Sequence, residues 1–224
     1  MAARGVSYHG CMGIVYEGRM MKLAMALATA VETKTDGVRQ YGIGEDINQV
    51  LYGWRNDRLT VVTRMTDAMQ RKSPEHRFLA VSEASALMRQ GWGADEITMV
   101  AEGYVSDEPV ATEGKNFAKE FAEGNAKIKE AITVTHVLGD EVSFVTKPYK
   151  YAVPKTVVWE EENFVPGRQR IVGNEGMYPL LFSKALELPV SDELATAKDG
   201  IGSAFYDALT LAMVERGFET KSFV

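Results

Sequence analysis

The 224-residue sequence predicts an α+β fold: a mixed, largely antiparallel sheet flanked by helices, with a C-terminal helical extension. Three observations carry that expectation. Stretches alternating apolar and polar residues come in pairs around Asn56-Asp57 and Gly139-Asp140. Stretches with apolar residues three and four apart precede, separate and follow those pairs. Between them, Ile97–Ser106 carries apolar groups at both parities, as an interior strand does.

In chain order, residues 1–16 read as a flexible lead. Met20, Leu23, Ala24, Leu27, Ala30 and Val31 predict an amphipathic helix over Arg19–Glu32, with Asp36-Gly37 as its stop. Val50, Tyr52 and Trp54 then alternate, as do Leu59, Val61 and Thr63. A two-residue turn at Asn56-Asp57 would set Trp54 opposite Leu59 and Tyr52 opposite Val61. Phe78–Val81 is a short apolar run leading into Ser82, which is suited to cap a helix ending at Gly91 or Gly93. In the strand that follows, Ile97, Met99, Ala101 and Val105 take one face. Val100, Glu102 and Tyr104 take the other.

A helix bearing Phe117 and Phe121 should end near Gly124. The next hairpin turns at Gly139-Asp140, and a three-residue loop is expected there because it keeps Ile132, Val134, Val142 and Phe144 on one face. Thr156–Trp159 adds a strand. Residues 17–162 thus form the sheet domain. Residues 163–224 form an arm and a helical extension packing on that domain or on a partner. Asn163–Glu175 reads as loop, a helix stops before Pro189, and Asp199 caps a helix from about Gly200 to Arg216.

The order helix, hairpin, short strand, helix, central strand, helix, hairpin over roughly residues 17–160 resembles the JAB/MPN metalloprotease-like domain. In that family the central strand runs into a His-x-His motif, and a Ser and an Asp complete a zinc site. The corresponding stretch, Ala101–Pro109, contains no histidine. The resemblance therefore implies the fold without the zinc chemistry.

Composition narrows the function classes. Hydrophobic residues at 46% and charged residues at 25% match a globular chain. The richest apolar run, Met20–Val31, is shorter than the roughly 18–20 residues that cross a bilayer and contains Lys22. Without a secretory leader the expected location is cytoplasmic. A net charge of −6 with no basic block disfavours nucleic acid. The single cysteine, Cys11, excludes an internal disulfide and a Cys-cluster zinc site. Gly42-Ile-Gly44 lacks the third glycine of a dinucleotide loop, and neither a phosphate-binding Gly-Lys-Ser/Thr nor a Gly-x-Ser-x-Gly elbow occurs.

The first expectation is a non-catalytic binding or assembly protein, as a homo-oligomer or with a protein partner and without a cofactor. A metal-assisted hydrolase is the alternative. Glu102, a carboxylate raised in pKa by an apolar strand, and His136, alternating onto the face of Ile132 and Val134, would be its acid/base pair, with Asp107 as ligand to a divalent metal. The bland counterparts are a satisfied carboxylate and a hydrogen-bonded core histidine. A third possibility uses Tyr149 and Tyr151, interleaved with lysines in Lys147–Tyr151, to stack single-stranded bases, against the plainer role of a protected edge strand. Arg168 and Arg170 offer charge for an anion or a partner carboxylate. Glu32-Thr-Lys34 and Glu219-Thr-Lys221 have nuclease-like spacing, but that motif belongs on a strand, and a helix end and the C-terminal tail are where they are expected.

Overall fold

The computed structural model describes residues 18–42, 46–106, 117–152, 155–161, 163–170, 177–196 and 201–224; residues 117, 163–170 and 177 are described in their backbone. Helix α1 (Arg19–Tyr41) does not stop at Asp36-Gly37. Leu23, Leu27, Ala30, Lys34 and Val38 are all buried and continue one face at three- and four-residue spacing. A lysine within that stripe hid its continuation. The helix ends where Gly42 turns to φ 105° and donates its N–H to the Val38 carbonyl.

Strands β1 (Val50–Arg55) and β2 (Arg58–Met65) pair through the expected turn, with Asn56 and Asp57 both at positive φ. Trp54 faces Leu59, as anticipated. A bulge between Gly53 and Trp54 then moves Tyr52 opposite Val62 instead of Val61, and Thr60 Oγ1 donates to the Gly53 carbonyl at 3.0 Å. After the short α2 (Asp67–Gln70), helix α3 runs from Pro74 to Trp92. Phe78–Val81 therefore lies inside the helix, because a four-residue apolar run fits either period and Val81, Ala84, Met88 and Trp92 continue it helically. Gly93, at φ 67°, ends it as expected.

Strand β3 (Glu96–Ser106) is the middle strand of the path β6-β5-β4-β3-β1-β2-β8. Helix α4 (Phe117–Ala122) leads to β4 (Ile128–Leu138), β5 (Glu141–Ala152) and β6 (Thr156–Trp159). The β4–β5 turn has two residues, not three: Leu138 pairs with Glu141, His136 with Ser143 and Val134 with Val145. That register distributes apolar residues over both faces, and both faces are covered. Val134 and Val145 join the core under α1, whereas Val137 and Val142 join the core under the other helices.

Residues 163–170 form strand β7 (Asn163–Arg170) rather than a loop, paired with β5 beside β6. Helices α5 (Met177–Leu186), α6 (Asp192–Thr196) and α7 (Ser203–Glu215) follow, and β8 (Phe218–Ser222) pairs with β2. The C-terminal third is therefore built into the same sheet, and α5 and α7 pack on α3. Asp199 lies outside the described residues. The fold is α+β, and every described strand pairing is antiparallel. Among the described residues, no helix is long and apolar enough to cross a membrane.

Candidate functional site

Strand periodicity sends Glu96, Thr98, Val100 and Glu102 to the face of β3 covered by α1. Lys22 and Lys34 on α1 reach down to the two carboxylates. Twelve helical residues rise about 18 Å and six strand residues about 20 Å, so the two spacings match. Both lysine side chains are fully buried, and an ammonium is tolerated there only with a counter-charge.

At one end of α1, Lys22 Nζ lies 2.5 Å from Glu96 Oε1, 2.8 Å from Asp57 Oδ1 and 5.4 Å above the Trp54 ring. Glu96 Oε2 is 2.9 Å from His136 Nε2, and His136 Nδ1 is 2.8 Å from Thr98 Oγ1. Trp54 Nε1 donates to Thr98 Oγ1 at 2.9 Å. The Glu96 carboxylate can only accept, so the hydrogen of a neutral imidazole sits on Nε2 facing it, Nδ1 is left as an acceptor, and the Thr98 hydroxyl, which accepts from the indole, donates its own proton there. Burial drives His136 below the usual imidazole value despite Glu96, and the ring is neutral. Burial alone would raise Glu96, but contacts from His136 and Lys22 outweigh it and hold the carboxylate below its ordinary range.

At the other end, Lys34 Nζ is 2.7 Å from Glu102 Oε1 and lies over the rings of Tyr149 and Tyr151 at 5.1 and 5.4 Å. Glu102 Oε2 accepts the Ile47 N–H at 2.7 Å. Burial raises Glu102 more than Lys34 and the Ile47 amide lower it, with Asp46 adding to the rise. Lys34 is lowered by burial, yet Glu102 and Tyr151 carry it above its ordinary value. Neighbouring Glu130 is raised by burial and then by Glu102. One ammonium thus sits among more negative charge than it neutralises. Replacing Glu130 by Gln removes part of the excess, and the expected outcome is a higher Tm at pH 7 whose margin over wild type shrinks as the pH falls. Thermal melts at two pH values check it.

Glu102 and His136 share a face but do not meet: Glu102 pairs across the ladder with Ile132, His136 with Thr98, four positions apart along β3, about 13 Å. Tyr149 is buried and Tyr151 half-buried around Lys34, so they line an internal cation instead of an open stacking surface. Arg168 and Arg170 lie on β7, with side chains outside the described residues, as Asp107 is altogether. Among the described residues, no three His, Cys, Asp or Glu side chains are grouped to hold a metal. Glu32-Thr-Lys34 lies within α1, and Glu219-Thr-Lys221 lies on β8, where Glu219 pairs with Arg64 at 3.2 Å.

Sequence reasoning missed Lys22, Lys34, Glu96, Thr98 and Asp57. The available signal was two lysines near the apolar stripe of α1 together with two glutamates of equal parity on β3. Chemically, the arrangement ties α1 to the sheet at both ends, Lys22 through Glu96 and Asp57 and Lys34 through Glu102. No protein-family model matches the chain, and neither a curated protein nor a solved structure matches it.

Proposed function

We propose that the chain is a non-catalytic assembly protein that associates with copies of itself through the outer face of α7. One observation carries this. Of the 13 residues of α7 only Ser203, Asp207, Thr210 and Glu215 are polar, yet the single chain buries only Met213. A helix apolar nearly all round belongs in an interior. Here Leu211 and Val214 are 61% and 55% exposed. The ion pairs under α1 support the same view, since Lys22 is held by Glu96 and Asp57 and Lys34 by Glu102.

Size-exclusion chromatography with light scattering tests the proposal. The wild-type chain should run as a multiple of its mass. Leu211→Asp should run as a monomer that keeps the wild-type circular-dichroism spectrum, because Leu211 contributes little to the chain's own core and its burial in an interface is worth roughly 1.5–3 kcal/mol. A wild-type monomer at the highest attainable concentration rejects the proposal.

A further inference from the structure

Two-fold pairing of α7 with itself is electrostatically poor, because the charged residues beside Leu211 and Val214 are Asp207 and Glu215, both acidic, and Arg216 at the helix end is engaged by Glu83 at 2.9 Å. A complementary surface lies on the opposite side of the sheet. Between α1 and β5 runs an apolar groove of about 320 Å³ lined by Leu23, Ala24, Leu27, Ala28, Val31 and Val145, with Lys147 at its edge. Its rim continues into Met20 and Met21, 53% and 49% exposed, beside Arg19.

Resting on the self-association proposed above, we infer that α7 of one copy docks in the α1–β5 groove of a second copy. Charge, length and shape agree. An acid-flanked apolar helix meets an apolar groove with Arg19 beside Met20 at one end. Thirteen helical residues span about 20 Å, and the groove follows α1 from Met20 to Val31, about 17 Å. Ala204 and Ala208 on α7 and Ala24 and Ala28 on α1 are exposed and small, so the helix axes can approach closely. The two methionines adapt their side chains to what covers them. Donor and acceptor surfaces differ, so the contact is heterologous and repeats into a ring or a filament.

Heterologous contacts complement, and that supplies the test. Leu211→Asp spoils α7 and leaves the groove intact. Ala24→Glu spoils the groove, placing an acid against Asp207 and Glu215, and leaves α7 intact. Each variant alone should be monomeric by light scattering, and an equimolar mixture should run at twice the monomer mass. If the wild type associates but Ala24→Glu still associates like it, or the mixture stays monomeric, the groove is not the acceptor and the assembly proposal survives. If the wild type is itself monomeric, both fall.

Discussion

Glu102→Gln should destabilise the fold by roughly 3–5 kcal/mol, whereas Glu102→Gln combined with Lys34→Met should recover most of that loss or exceed the wild type. The single change strands a fully buried ammonium whose nearest counter-charge was 2.7 Å away. The rings of Tyr149 and Tyr151 beneath it attract a cation by only about 0.5–2 kcal/mol each, too little to replace a carboxylate. Gln retains an oxygen for the Ile47 N–H, so the loss isolates the ion pair from the backbone bond. The double variant removes both charges and leaves a methionine among aromatic rings, a setting that suits its thioether. Lys34→Met alone should cost less at mildly acidic pH than at pH 8, since burial already favours protonation of Glu102 and a neutral carboxyl needs no counter-ion. A double-mutant cycle by chemical denaturation reads the coupling directly. Additive effects would show that Glu102 and Lys34 do not hold each other, and would return Glu102 to the list of functional carboxylates.

How much of this was legible in the sequence depended on whether a signal was local. Alternation alone placed β3 inside the sheet and sent Glu102 to the face opposite Ile97 and Met99. Asn56-Asp57 announced its turn because both residues tolerate positive φ. The β4–β5 register failed for a non-local reason: apolar residues were assumed to need one face, while α1 and the α3 layer cover both. Strand β8 was invisible because Glu219-Thr220-Lys221 is polar, and an edge strand gains its ladder from β2 without an apolar pattern of its own. The networks under α1 were illegible for a similar reason. Glu102 stands out as a carboxylate in an apolar strand, but its partner lies on a helix expected to end before Asp36, with Lys34 at that helix end. His136 was placed on the correct face and given the wrong neighbour, since only the β3–β4 register decides that it meets Thr98 and Glu96 instead of Glu102.

The second large effect is acid lability seated in His136. Its folded imidazole value lies below that of the unfolded chain, and the same holds for the Glu96 carboxylate. Groups depressed by folding contribute stability that is complete above their unfolded values and lost as the pH falls, here from about pH 6.5 downward for the imidazole. Each pH unit of depression is worth about 1.4 kcal/mol. The hydrogen-bond chain gives the structural cause. A second proton would enter on Nδ1, where Thr98 Oγ1 now donates, while that oxygen also receives the Trp54 N–H. The threonine proton would have to find another acceptor in a buried setting, and Lys22 and Arg19 oppose the added charge. Glu102 and Glu130, raised by folding, act in the other sense, because protonating them as the pH falls relieves crowded negative charge. The imidazole is therefore read most cleanly between about pH 7 and 5.5, above the ordinary carboxylate range. Gln at position 136 can donate to Glu96 and accept from Thr98 without titrating. Wild-type Tm should fall relative to that of His136→Gln across that window, because Glu102 and Glu130 titrate alike in both proteins and cancel in the difference. Parallel curves for the two proteins would show that the imidazole does not govern the acid limb, and would shift the cause to Glu96 and its salt bridge with Lys22.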